Sequence, residues 1–269
     1  MRLLKLLLIL LLIVVSALFG ITEISRVVSG RDEGPRITCD QELLDISVTD
    51  DEQILMKGIS ASDAQDGDLT DRVMVAGVSQ LITEDTARVT YLVFDSDDNM
   101  AQYRRMVRYR DYRKPVITVE SPLVFSTENT AGILERISAQ DVIDGNISDR
   151  IRLSSLWATD RADIYSLTVL ATNSMGDTAR VELPVVIQPE LVGWPVINLR
   201  KQLIYLNLGN SFDPMKYVAS VYVRNTMVPV GELVVEHQVD TAEPGNYWVT
   251  YSYSTDGIQG TAVLTVVVQ

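Results

Sequence analysis

The sequence predicts an all-β fold of tandem β-sandwich modules preceded by one N-terminal transmembrane helix. Three observations carry this. First, Ile59-Ser-Ala-Ser-Asp-Ala-Gln-Asp66-Gly67-Asp68-Leu-Thr-Asp71-Arg72-Val73 returns as Ile137-Ser-Ala-Gln-Asp-Val-Ile-Asp144-Gly145-Asn146-Ile-Ser-Asp149-Arg150-Ile151. The offset is constant, and a repeat of that period is the size of a small β-sandwich. Second, Pro35, Pro115 and Pro195 recur at equal spacing, each ahead of a short β-branched stretch. Proline at a strand's first position removes no ladder hydrogen bond and stiffens the junction before it. Third, apolar residues alternate with period two between turn signals, as in Val89, Tyr91 and Val93, or Tyr247, Val249, Tyr251 and Tyr253.

The elements follow in chain order. Arg2 and Lys5 precede an apolar stretch whose span, Leu3 to Ile21, nearly matches a hydrocarbon core of about 30 Å at about 1.5 Å per residue. Residues 1–22 are therefore expected to be a cytoplasmic tail and signal-anchor, giving a single-pass membrane protein with its bulk outside. The alternative is a cleaved signal peptide and a secreted chain, for which Val15-Ser16-Ala17 offers small residues at a suitable spacing. Residues 23–34 read as a polar juxtamembrane linker ending at Gly34.

Three modules are expected over 35–113, 114–193 and 194–269. Each ends in a strand, a turn rich in Gly, Asn or Asp, and a last strand. These turns are Asp95 to Asn99, Asn173 to Asp177, and Asp256 to Gly260, leading into Gln102–Tyr109, Ala179–Ile187 and Thr261–Val268. Helical periodicity is absent after residue 22 apart from one turn at Glu52 to Lys57. The third module lacks the Asp-Gly-Asp phrase. Ser211-Phe-Asp-Pro-Met-Lys-Tyr-Val218 is read as standing in its place, marking a diverged terminal repeat.

Composition bounds the chemistry. Lys and Arg total 23 against 36 Asp and Glu, a net charge of −13, which disfavours nucleic acid as a partner. A single cysteine, Cys39, excludes an intramolecular disulfide and a thiolate metal site, and in a chain working outside the cell this favours a bacterial source. A single histidine, His237, excludes His-based triads and histidine metal clusters; no Gly-x-Ser-x-Gly or Ser-x-x-Lys motif is present. A non-enzymatic role is expected.

Asp63, Asp66, Asp68 and Asp71 are the calcium candidates, because hard cations collect carboxylate and carbonyl oxygens. The competing reading is structural: Asp and Asn accept hydrogen bonds from the backbone two residues on, and Gly67 and Gly145 supply positive φ. Neutral Asn146 in place of Asp68 favours that reading, and no cofactor is assigned. Trp248 and Tyr251 are the ligand-binding candidates, since flat aromatic faces stack on sugar rings, against the alternative that alternation buries them. Arg104, Arg105, Arg108, Arg110, Arg113 and Lys114 read as a solvated strand edge. Asn146-Ile-Ser148 is a glycosylation sequon without meaning in a typical bacterium.

Ala61-Ser-Asp63, Asp66-Gly67-Asp68-Leu-Thr70, the strand through Thr90 and Tyr91, and the Asp95 to Asn99 turn resemble the bacterial Ig-like repeats of surface proteins and pesticidal crystal toxins. The second module repeats the pattern through Ala139, Asp141, Asp144, Gly145 and Ser148, whereas Gly245 to Tyr251 matches only its later half. The resemblance implies immunoglobulin-like sandwiches at a cell surface, acting as spacers, adhesive modules, or protein- and carbohydrate-binding accessories. It brings no catalytic residues. A membrane-tethered adhesion or spacer protein is the favoured expectation, with a carbohydrate-binding accessory and a calcium-stiffened rod as alternatives. An extracellular protein or glycan is the expected partner, beside the membrane through residues 3–21.

Overall fold

A computed structural model describes residues 11–19, 34–127, 131–161, 163–188 and 193–269. The chain divides into two compact units between Arg110 and Asp111. Residues 11–19 are helical, which at about 1.5 Å per residue covers about half of a ~30 Å hydrocarbon core. Among the described residues no helix is long and apolar enough to cross a membrane. This corrects the expected single-pass topology. The remainder of the 3–21 stretch and most of the 23–34 linker lie outside the described residues.

The first module forms seven strands: β1 (Arg36–Cys39), β2 (Leu43–Ile46), β3 (Ile59–Asp63), β4 (Gly67–Asp68), β5 (Met74–Val78), β6 (Thr86–Phe94) and β7 (Met100–Tyr109). They make two sheets, β1-β3-β4 and β2-β7-β6-β5. The stretch after Pro35 is split: β1 pairs antiparallel with β3, and β2 then crosses to the other sheet and runs parallel to β7. Period-two alternation sends Val89, Tyr91, Val93 and Val107 inward, all with no exposed surface, against Ile37, Ile59 and Ala61 of the facing sheet.

The second module repeats this plan with β8 (Val116–Val119), β9 (Val124–Ser126), β10 (Ile137–Asp141), β11 (Gly145–Asn146), β12 (Ile151–Ala158), β13 (Ile164–Thr172) and β14 (Thr178–Gln188). Its sheets are β11-β10-β8 and β12-β13-β14-β9, again with a parallel pair, β9 with β14.

The third module is the same fold: β15 (Val196–Leu199), β16 (Leu203–Leu206), β17 (Val218–Val223), β18 (Thr226–Val228), β19 (Val234–His237), β20 (Gly245–Thr255) and β21 (Ile258–Val268), in sheets β15-β17-β18 and β16-β21-β20-β19. It corrects one reading of the sequence. Ser211 to Val218 does not replace the Asp-Gly-Asp phrase; it contains a 3-10 helix at Pro214–Tyr217, capped by Asp213, just ahead of β17. That is the place Glu52–Met56 takes ahead of β3. The replacement for the phrase is the two-residue turn Arg224-Asn225, whose φ values of 46° and 66° join β17 to β18. Asparagine tolerates left-handed backbone, so one primed turn does the work of the longer acidic loop.

Modules one and three share a further fastening. The Tyr91 hydroxyl donates to Leu55 O at 2.6 Å, and the Tyr251 hydroxyl donates to Pro214 O at 2.7 Å, tying the central strand to the 3-10 helix. Val169 occupies this strand position in module two and has no hydroxyl to offer.

The basic run on β7 is also corrected. Arg104 is exposed, whereas Arg105 is only 1% exposed and points into the module core. Its Nη1 donates to Lys57 O at 2.6 Å, while Nε and Nη2 find no partner. Leu183 and Leu264 fill the matching positions in the other modules, so module one buries a guanidinium where its siblings bury a leucine.

Modules two and three form one unit because the outer faces of β14 and β20–β21 are packed as well. Ile164, Val186 and Val263 form a buried cluster there, joined by Val124 and Trp248. Leu203 of module three packs into the core of module two. The Tyr205 hydroxyl donates to Ile117 O at 3.0 Å and accepts from Ile117 N at 3.3 Å. Burial raises that hydroxyl's pKa to about 12.

Candidate functional site

The acidic phrase sits on the loop between β3 and β4 and the 3-10 helix that follows. Its carboxylates are engaged by nearby N–H and O–H groups. Asp63 Oδ1 accepts from Gln65 N at 2.7 Å and Asp66 N at 2.9 Å. Asp68 Oδ1 accepts from Thr70 N at 2.9 Å, and donors from the Thr70 side chain and backbone hold its carboxyl below the usual range. Asp71 is exposed on the 3-10 helix. Module two reproduces the pattern: Asp141 Oδ1 accepts from Ile143 N and Asp144 N at 2.9 Å each, and Asn146 Oδ1 accepts from Ser148 N at 2.9 Å.

Asp66 and Asp144 reach further. Asp66 accepts from Ser96 N at 2.6 Å and Ser96 Oγ at 2.7 Å; Asp144 accepts from Ser174 N at 2.6 Å and Ser174 Oγ at 2.7 Å. Each acid thereby fastens its loop to the turn between the last two strands of its module. Burial pushes the Asp144 carboxyl up. The Ser174 hydroxyl and N–H and the Arg150 guanidinium outweigh that and hold it below its ordinary range. The sequence held a signal for this link, because Ser96 and Ser174 occupy the same place in their repeats.

A second network anchors the segment entering module two. Asn173 Nδ2 donates to Asp141 Oδ2 at 3.0 Å and to the Tyr112 hydroxyl at 2.9 Å, and that hydroxyl donates to Asp177 Oδ2 at 2.9 Å. Burial, and next the bond to Asp177, raise the pKa of Tyr112 well above the ordinary phenol value. In module one Asp95 stands where module two has Asn173. A carboxylate has no N–H to give, and Asp63 Oδ2 is left buried without a partner.

Among the described residues no group of three or more His, Cys, Asp or Glu side chains is placed to hold a metal ion. Asp63, Asp66, Asp68 and Asp71 are neighbours in sequence, but the first three are directed at separate N–H groups. His237 meets Phe212 edge-on at 5.7 Å, and its Nδ1 accepts from Val239 N at 3.3 Å.

The aromatic candidates are placed differently from the sequence expectation. Tyr251 has no exposed surface and is bonded through its hydroxyl inside module three. Trp248 packs on the cluster joining modules two and three, and its Nε1 donates to Glu182 O at 3.0 Å beside Asn246 Nδ2 at 2.6 Å. Tyr251 therefore offers no ring face, because alternation put it in the core, whereas Trp248 is half-buried against the neighbouring module. Trp157, on edge strand β12, is 66% exposed instead.

No family model and no curated protein matches the chain. Among solved structures, the chain is similar to the CBM51-2 and INT domains of Clostridium perfringens ZmpB, solved with GlcNAc, at 20% identity and TM-score 0.24. That match covers 55% of this chain and 26% of the other. A protocadherin gammaB7 EC3-6 cis-dimer matches at 11% identity and TM-score 0.22, covering 86% and 73%. The lipoprotein BT2262 of Bacteroides thetaiotaomicron matches at 11% identity and TM-score 0.21, covering 86% and 98%. The chain spans 26%, 30% and 41% of three ZmpB structures that it matches. TM-scores this low carry no conclusion about function.

Proposed function

We propose that the chain is a non-enzymatic interaction and spacer protein, built from tandem immunoglobulin-like modules of the bacterial Ig-like repeat type and acting at a cell surface. The observation that supports this most is the use made of the acidic phrase. Its most chemically suggestive carboxylates are spent on backbone N–H groups and on the Ser96 and Ser174 turns, in the manner of a scaffold. Acid-base work needs a carboxyl free to exchange its proton with a substrate, and a carboxylate saturated by local donors is poorly suited to it. The net charge of −13 favours basic or neutral partners.

Protease treatment of intact cells producing the full chain tests the location. Release of fragments from residues 34–269 before lysis is the expected result, and protection until lysis would refute the reading.

A further inference from the structure

The crevice where modules two and three meet is lined by Arg161, Asp163, Gln188, Trp194, Gln259 and Thr261, around a volume of about 550 Å³. That size is typical of small-molecule sites. One wall is closely packed. A Cβ on Gly260 would stand 2.1 Å from Pro195 O, so the start of β21 lies directly on the inter-module junction. The Asp256-Gly257 turn, with φ values of 51° and 77°, sets Ile258 and Gln259 at the rim.

Gln188 is the informative residue. It is only 4% exposed, yet its side-chain amide makes no hydrogen bond with any described residue, and it lines the crevice. A primary amide carries two donors and an acceptor. Those of Gln188 are not among the fully enclosed unpartnered atoms, so they open onto the crevice. Thr261, 6% exposed, presents a hydroxyl in the same state. Both therefore await donors and acceptors from whatever fills the crevice.

The remaining groups restrict what that is. Arg161 is engaged by Glu236 at 2.7 Å and Asp163 adds a carboxylate, so the lining carries no excess positive charge to draw an anion. An apolar ligand would leave Gln188, Thr261 and Asp163 unsatisfied. Trp194 adds a flat apolar face. An occupant with many hydroxyls, no charge and one apolar face meets every requirement, and a sugar ring has these properties.

We propose that the crevice between modules two and three binds a neutral saccharide, with Gln188 and Thr261 hydrogen-bonding its hydroxyls, Asp163 accepting from them and Trp194 stacking on a ring. The proposal rests on the interaction-protein reading and gives it a ligand class.

The test is calorimetric titration of the full chain with neutral gluco-, galacto-, manno- and N-acetylhexosamine trisaccharides. At least one should bind saturably. Gln188→Leu and Trp194→Ala should each weaken it about tenfold or more, while Trp157→Ala, outside the crevice, leaves it unchanged. Gln188→Leu keeps the side chain's bulk and removes an amide that has no protein partner, so its melting temperature should hold while binding is lost. No binding by any of these sugars at millimolar concentration, or binding that survives both crevice variants, overturns the proposal. A fall in melting temperature for Gln188→Leu also overturns it, because the amide would then already be partnered. Failure here with protease release from intact cells intact rejects the site alone, whereas failure of release rejects the surface reading whatever the titration gives.

Discussion

Asp144→Ala removes both oxygens that hold Ser174, at 2.6 Å from its N–H and 2.7 Å from its Oγ, together with the Arg150 pair. Hydrogen bonds to a charged group are worth about 1.5–3 kcal/mol each, and the truncated site regains part of this as water reaches the turn. The Arg150 guanidinium is 43% exposed and adds only about 0–1 kcal/mol. A net loss of about 2–3 kcal/mol is expected, which for a unit of this size lowers the melting temperature by about 5–10 °C. Differential scanning calorimetry of the full chain reads it. Asp149→Ala, on an exposed residue of the same phrase, serves as the control and should change stability by no more than about 0.5 kcal/mol. A double-mutant cycle with Ser174→Ala should return a coupling of about 1 kcal/mol or more. If Asp144→Ala and Asp149→Ala are indistinguishable, the acid does not fasten the loop and the reasoning fails.

The same link sets a pH dependence. The folded-state pKa of Asp144 is lowered, so its contribution is complete above the unfolded value of about 3.9 and is lost as pH falls through the lower folded value. Asp144→Ala should therefore flatten the acid limb of the stability curve, and an unchanged limb would contradict the assignment.

Other predictions follow from contacts the modules do not share. Tyr91→Phe and Tyr251→Phe should each cost about 1–3 kcal/mol by leaving Leu55 O or Pro214 O unpaired, measured by urea unfolding. Arg105→Leu should stabilise module one by about 1–3 kcal/mol, since it exchanges a partly unsatisfied buried cation for the leucine its sibling modules carry; destabilisation would refute this. Trp248→Ala should loosen the packing between modules two and three, so that their shared calorimetric transition broadens or splits.

The modular architecture was legible because its signals are local. Alternation in Val89, Tyr91 and Val93 gives the buried face of β6, and the prolines mark where modules begin. What the sequence concealed depends on contacts between distant residues. The two-residue Arg224-Asn225 turn looks nothing like an acidic loop, although both close the same hairpin. Arg105 belongs to a basic run whose members alternate in direction, and only the pairing of Val89 with Arg105 shows that it faces inward. Trp248 resembles a surface aromatic until module two is packed against it. The crevice proposed as the saccharide site is assembled from segments far apart in the chain, so no motif could announce it. The Ser96 and Ser174 link was the exception, readable in principle from the repeat alignment.

The most direct test of the central claim, that the repeated acidic phrase is a fold fastener whose carboxylates serve the backbone, is a melting curve of the full chain in millimolar calcium against the same protein in EDTA. Superimposable curves are predicted. A rise of several degrees with calcium, reversed by EDTA and abolished by Asp63→Asn with Asp66→Asn, would contradict it.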